Sequence, residues 1–74
     1  MPARVIHKSF DVSAGAIHVT VEDDLGVRSV HTIHVVEPDG SEADVAAAIA
    51  AALQAADARA ARLRTAFEKH GWTG

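Results

Sequence analysis

The five histidines are the residues of this sequence best suited to chemistry, because imidazole binds metal ions and exchanges protons near neutral pH. Three of them, His7, His18 and His34, fall at alternating positions of strand-like segments, which places them on the polar face of a predicted sheet. His18 and His34 would be diagonal neighbours there, so these residues are the candidate zinc ligands. His31 points to the opposite face from His34, and no local ligand spacing is present. The prediction is therefore that no metal is bound.

Catalytic chemistry has little support in the sequence. The chain has no cysteine, which excludes thiolate nucleophiles, thiolate metal sites and disulfides. A general acid or base needs a perturbed group in a pocket, and a small sheet covered by one helix offers little concavity. Gly26 and Gly40 stand alone, so there is no phosphate-binding loop. We predict a protein that is not an enzyme and carries no cofactor.

Charge and hydropathy argue against nucleic acid and membranes as partners. The net charge is −3, and the arginines are not interleaved with aromatic residues along the strands. The most apolar stretch, residues 45–56, is well short of the roughly 20 residues that span a bilayer. The start of the chain does not resemble a signal peptide. The expected location is intracellular or in a virion.

The first half of the chain alternates apolar and polar residues, as half-buried strands do. It predicts strands at about residues 4–12, 16–23 and 27–36. A three-residue loop at Ser13-Ala14-Gly15 would turn the first strand's apolar residues away from those of the other two strands. We therefore expect a two- or four-residue connection. The resulting apolar face consists of Ile6, Phe10, Ile17, Val19, Val21, Ile33 and Val35.

The second hairpin is indicated by Asp23-Asp24-Leu25-Gly26. Aspartate at the first position and glycine at the last suit a type I turn that is closed by a left-handed glycine, which gives a three-residue loop. This loop places Ile17 opposite Ile33 and Glu22 opposite Arg28. Both pairs are favourable neighbours across strands.

The second half of the chain predicts one helix over about residues 42–70, after the turn Glu37-Pro38-Asp39-Gly40. Ser41 suits the N-cap, and Gly71 suits the left-handed position after the last turn, with Trp72 packing back on Phe67. The expected core stripe is Ala46, Ile49, Leu53, Ala56, Ala60, Leu63 and Phe67. The expected solvated side contains Glu42, Gln54, Asp57, Arg64 and Glu68.

Two further features of the helix each allow two interpretations. A strip of alanines reflects either high helix propensity or a second contact face. The basic cluster near the end either complements the helix dipole or forms a docking patch for an acidic protein surface. The alanines are Ala47, Ala50, Ala51, Ala58 and Ala61, and the basic residues are Arg59, Arg62, Arg64 and Lys69.

The helix is longer than the strands it must cover. About 29 helical residues span roughly 43 Å, whereas the strands span about 23 to 30 Å. If the first half of the helix covers the sheet, roughly 13 to 20 Å of it projects beyond. The predicted interface therefore lies in the second half, and it consists of Leu63, Phe67, Trp72, Ala56 and Ala60.

These observations predict one α+β domain over residues 1–74, a three-stranded antiparallel meander followed by one long C-terminal helix (β-β-β-α). The expected function is non-enzymatic association with itself or another protein through that helix. Its small size and lack of cysteine are typical of homo-oligomeric structural or assembly components, including those of bacteriophage virions. The alternative is a small regulatory or inhibitory protein, antitoxin-like or anti-defence, that binds one partner. A sheet edge is the other surface either function could use.

Overall fold

Three strands and one helix form the structure, a computed structural model that describes residues 2–35 and 42–73, with the side chains of 42 and 43 excepted. The strands are β1 (Arg4–Asp11), β2 (Ala16–Glu22) and β3 (Arg28–His34), and the helix is α1 (Glu42–Lys69). The strands pair antiparallel in the order β1-β2-β3. This confirms the predicted β-β-β-α fold. Ser41, Val36 and the predicted turn at residues 37–40 lie outside the described residues.

The turn between β2 and β3 is organised by the buried carboxylate of Asp23. Its Oδ1 accepts hydrogen bonds from the backbone amides of Leu25 and Val27, at 2.9 and 3.0 Å. The amide of Gly26 donates to the carbonyl of Asp23 at 3.1 Å, and Gly26 has φ +82°. This is the three-residue loop with a left-handed glycine that the sequence predicts. The predicted pairing of Ile17 with Ile33 follows from it.

The turn between β1 and β2 has four residues, one of the two predicted lengths. Asp11 pairs with Ala16 and Phe10 with Ile17, so Phe10 does lie on the helix side of the sheet. The amide of Gly15 donates to the carbonyl of Val12 at 3.3 Å, and the amide of Val35 donates to Gly15 at 2.9 Å. The exit of β3 is thereby attached to the first turn.

The carboxylate of Asp11 accepts two hydrogen bonds from residues of this first turn, so its protonation is linked to the stability of the turn. Hydrogen bonds from the Ala14 amide and the Ser13 hydroxyl, with His18 nearby, hold the pKa of Asp11 below its ordinary value of 3.8. A lowered pKa means that the ionised form stabilises the fold above pH 3.8, and that this stabilisation is lost as the pH falls through the folded-state pKa.

We therefore expect Asp11→Asn to be less stable than the wild type at neutral pH, with the difference shrinking below pH 3.8. Urea unfolding of both proteins from pH 7 to pH 3 measures this. A difference that stays constant over the whole range would contradict the assignment.

A β-bulge at Ile6 changes which residues of β1 face the helix. Val5 pairs with Val21 and His7 with Thr20, so Ile6 is the extra residue in the ladder. The sequence predicts Ile6 on the apolar face, but it is Val5 that the bulge places opposite Val21 on that face, and Ile6 is left as the unpaired residue of the ladder. Both side chains are 36% exposed.

The core lies between the helix and the inner face of β2. Val19 and Val21 are fully buried, and they pack in one cluster with Ala52, Ile49 and Leu53 of the helix. The helix lies mainly over β2 and β3. It leaves the helix side of β1 largely uncovered, and Phe10 is 69% exposed although it was expected in the core.

The helix is rotated relative to the predicted stripe. Ala46 is exposed, whereas Ala52, which the stripe omits, is buried. A 3,4 spacing averages 3.5 residues per turn, so over several turns it drifts around a helix of 3.6 residues per turn. Asp57 was expected in solvent. It is half-buried instead and accepts a hydrogen bond from the Ala3 amide at 2.6 Å, which attaches the start of β1 to the helix.

The helix makes the molecule elongated. Its 28 residues span about 42 Å, and the whole chain measures 52 × 18 × 16 Å. The radius of gyration is 15.0 Å, against about 11 Å for a typical domain of this length. Contact with the sheet and its turns extends beyond the first half of the helix to Leu63 and Arg64, so the projecting part is shorter than predicted.

Candidate association site

The helix ends in a cap that fixes two aromatic side chains. The amide of Trp72 donates to the carbonyl of Phe67 at 3.0 Å, and the amide of Gly71 donates to Glu68 at 3.2 Å. Gly71 has φ +95°, a conformation that a side chain disfavours. The Trp72 ring then meets Phe67 edge to face, with 5.8 Å between centroids. This is the C-cap that the sequence predicts.

Arg64 connects this cap to the β2–β3 turn. Its guanidinium donates to Oδ2 of Asp24 at 2.9 Å and lies 6.0 Å from the centre of the Trp72 ring. The sequence placed Arg64 on the solvated side of the helix. It is partly exposed, but both contacts hold the indole against the rest of the chain.

An open apolar groove of about 490 Å³ lies between this cap and the turn. We call it the C-terminal groove, and its apolar lining is Leu25, Val27, Leu63, Phe67 and Trp72. Leu25 and Leu63 are half-buried, whereas Val27, Phe67 and Trp72 are 42%, 45% and 36% exposed. Asp24 and Arg59 complete its lining with one charge of each sign. Such a surface can bind apolar side chains of another protein, with polar contacts at its edge.

The predicted interface residues have different environments. Leu63, Phe67 and Trp72 come together in the C-terminal groove. Ala60 is only 3% exposed, and Ala56 is half-buried against the core, so their apolar surface is already used within the chain.

Leu25 and Val27 belong to the same groove but were absent from the predicted set. Leu25 stood out in the sequence as an apolar residue inside a turn, where polar residues are usual. That is the signal that could have identified it.

The histidines do not come together as a site. The Nδ1 of His18 lies 3.0 Å from the Thr32 hydroxyl, and its Nε2 lies 3.6 Å from Asp11. His31 lies on the helix side of the sheet, with its Nε2 3.0 Å from the Ser29 hydroxyl. In the described part of the chain, no three histidine, aspartate or glutamate residues are placed to hold a metal ion.

No helix within residues 2–35 and 42–73 has the length and apolar character needed to cross a lipid bilayer. The C-terminal groove combines an apolar lining with a fixed aromatic pair. Comparison of the chain with protein families, with curated proteins and with solved structures finds no match.

Proposed function

We propose that this protein is a non-enzymatic association module that joins copies of itself into a homo-oligomer, as a structural or assembly component, through the C-terminal groove. The observation that carries the proposal is the exposed Phe67 and Trp72 pair, held in place by the backbone bonds of the helix cap.

The fixed geometry of this pair favours binding. Ordering flexible side chains at an interface costs about 0.5 to 1.5 kcal/mol each, and much of that cost is avoided when the side chains are already held. Tryptophan and arginine are also enriched among residues that dominate binding energy. Trp72 is fixed by its own backbone, by Phe67 and by Arg64.

The small core supports a second copy as the partner. Among the described residues, only Val19 and Val21 are large and fully buried, and the accessible surface is 5167 Å². A compact monomer of 7.7 kDa exposes about 4,300 Å². Self-association would bury part of this excess surface, a common means of stabilisation for very small domains.

Replacing Phe67 and Trp72 together with alanine is expected to weaken self-association at least tenfold, because both large apolar contacts are lost. Size-exclusion chromatography with light scattering, over a range of concentrations, measures this. The control is Val12→Ala, which truncates a 93% exposed apolar residue in the other turn and should leave association unchanged.

Circular dichroism should show the same helical content in all three proteins. A wild type that is monomeric at tens of micromolar would contradict the proposal. So would a double variant that associates like the wild type.

A further inference from the structure

We propose a second self-contact: two copies join along their β3 strands, about a two-fold axis beside His31, to form one six-stranded antiparallel sheet with two antiparallel helices on one face. The contact shares with the proposed function only the premise that the partner is another copy. It uses the outer edge of β3 and one side of α1, whereas the C-terminal groove lies at the end of the helix.

The outer edge of β3 offers a regular row of backbone groups. The Asp23 amide bonds to the carbonyl of Val27, and hydrogen-bonded pairs alternate along an antiparallel ladder. The amides and carbonyls of every second residue of β3 therefore point away from β2. These residues are Arg28, Val30, Thr32 and His34.

This row is self-complementary. An antiparallel second copy centred on His31 places Val30 opposite Thr32 and Arg28 opposite His34, which allows about eight backbone hydrogen bonds. Arg28 is already paired with Glu22 at 3.0 Å, so its approach to His34 brings no unpaired charge to the edge.

The other edge strand is less suitable. β1 has the bulge at Ile6 and carries Lys8 near its middle, two features that oppose strand addition. β3 pairs with β2 in regular register from Arg28 to His34 and contains neither proline nor lysine.

The position of the helix fits the same two-fold axis. Neighbouring strands lie about 4.8 Å apart, and α1 lies over β2 and β3. Joining two β3 strands therefore places the two helix axes about 10 Å apart, which is near the usual distance for packed helices.

The side of the helix that faces β3 can be identified from its contacts. Ala56 and Arg59 line a small cleft with Val27, Arg28 and Ser29, whereas Asp57 bonds to Ala3 on the β1 side. Successive residues of a helix are rotated by about 100° around its axis, so the other positions on the β3 side can be located from these contacts. This β3-side strip consists of Asp44, Ala48, Ala55 and Arg62.

The middle of the β3-side strip lies level with the proposed axis. Val45 lines a groove with Val35, and Arg59 lines a cleft with Ser29, so α1 runs antiparallel to β3. Interpolating between these contacts places Gln54 level with His31. The strip therefore presents alanines to the second helix where the two approach most closely, and alanine permits close approach.

The ends of the β3-side strip carry opposite charges. Asp44 and Arg62 are both exposed and about 27 Å apart along one helix, too far to meet in the same chain. In the two-fold arrangement, Asp44 of each copy lies level with Arg62 of the other. The midpoint of these two residues is position 53, about one residue from the level of His31, so charge and strand register select nearly the same axis.

Val30→Pro tests the strand contact. The Val30 amide points away from β2, so proline removes a bond of the proposed dimer and no bond of the monomer ladder. The background is Phe67→Ala with Trp72→Ala, which separates this contact from the C-terminal groove. We expect that background protein to be a dimer by light scattering, Val30→Pro within it to be a monomer, and the control Val30→Ala to remain a dimer.

Exchanging the charges of Asp44 and Arg62 tests the helix contact. This test remains valid even if β3 cannot fold with a proline in it. Arg62→Glu should weaken the dimer about tenfold at low salt, because two attractions become repulsions. Adding Asp44→Arg in the same chain should restore it. Such rescue requires contact between chains, since the two residues cannot meet within one.

Three results would each overturn the β3 contact: a monomeric background protein, a dimer that survives Val30→Pro, or no rescue by Asp44→Arg. None of them bears on the C-terminal groove, which is tested by the change in mass between the wild type and the Phe67 and Trp72 variant.

Discussion

Replacing Val19 and Val21 together with alanine is expected to lower the free energy of unfolding by about 4 to 6 kcal/mol. Each substitution removes about two methyl groups at roughly 0.8 kcal/mol each and leaves a cavity that adds to the loss. These two residues are the only large side chains that are fully buried in the described part of the chain. A chain of 74 residues has a total stability of about 4 to 11 kcal/mol, so much of it depends on this pair.

Urea unfolding followed by circular dichroism gives this free energy. The matched control is Val30→Ala, the same substitution in the neighbouring strand at a side chain that is 66% exposed. It should cost less than about 0.5 kcal/mol. If the double variant lost no more than this control, the core would not be where the structure places it.

Asp23→Ala is expected to cost about 2 to 4 kcal/mol. Its carboxylate is 3% exposed and accepts two backbone hydrogen bonds, and Arg59 lies 3.9 Å away. Removing the acceptor leaves the amides of Leu25 and Val27 without this partner in a partly buried turn. Because both residues line the C-terminal groove, self-association should weaken as well.

Asp24→Ala is the control for this change, one position along the same turn. Its ion pair with Arg64 is partly exposed, and such pairs contribute at most about 1 kcal/mol. Asp23→Asn should recover much of the loss, because an amide oxygen can still accept from the two backbone amides. Equal losses at positions 23 and 24 by urea unfolding would show that the buried carboxylate has no special role.

Local chemistry made much of the fold predictable. The aspartate and glycine of the second turn set its loop length, and the loop length sets every pairing between β2 and β3. Gly71 and Trp72 similarly indicated the helix cap. The bulge at Ile6 has no such signal, because its sequence contains no glycine or other residue that requires it.

The lateral position of the helix was harder to predict. It depends on which of the three strands α1 packs against. The apolar stripe shows which side of the helix faces the sheet, but it does not show over which strands the helix lies. The exposure of Phe10 and the burial of Asp57 both follow from that position. For the candidate site, Phe67 and Trp72 are close in sequence and could be paired, whereas Leu25 joins them only through the tertiary fold.

The bulge in β1 has a consequence for the size of any assembly built on this sheet. A sheet whose two edges accept strands equally well can grow without limit, as amyloid does. Here one edge is regular and the other is interrupted at Ile6, so strand addition is favoured on one side over the other. Two copies that use their regular edges leave only interrupted edges outside. In the proposed β3 pair, growth by strand addition would therefore stop at two copies, which would protect a chain with this much exposed apolar surface from forming fibres.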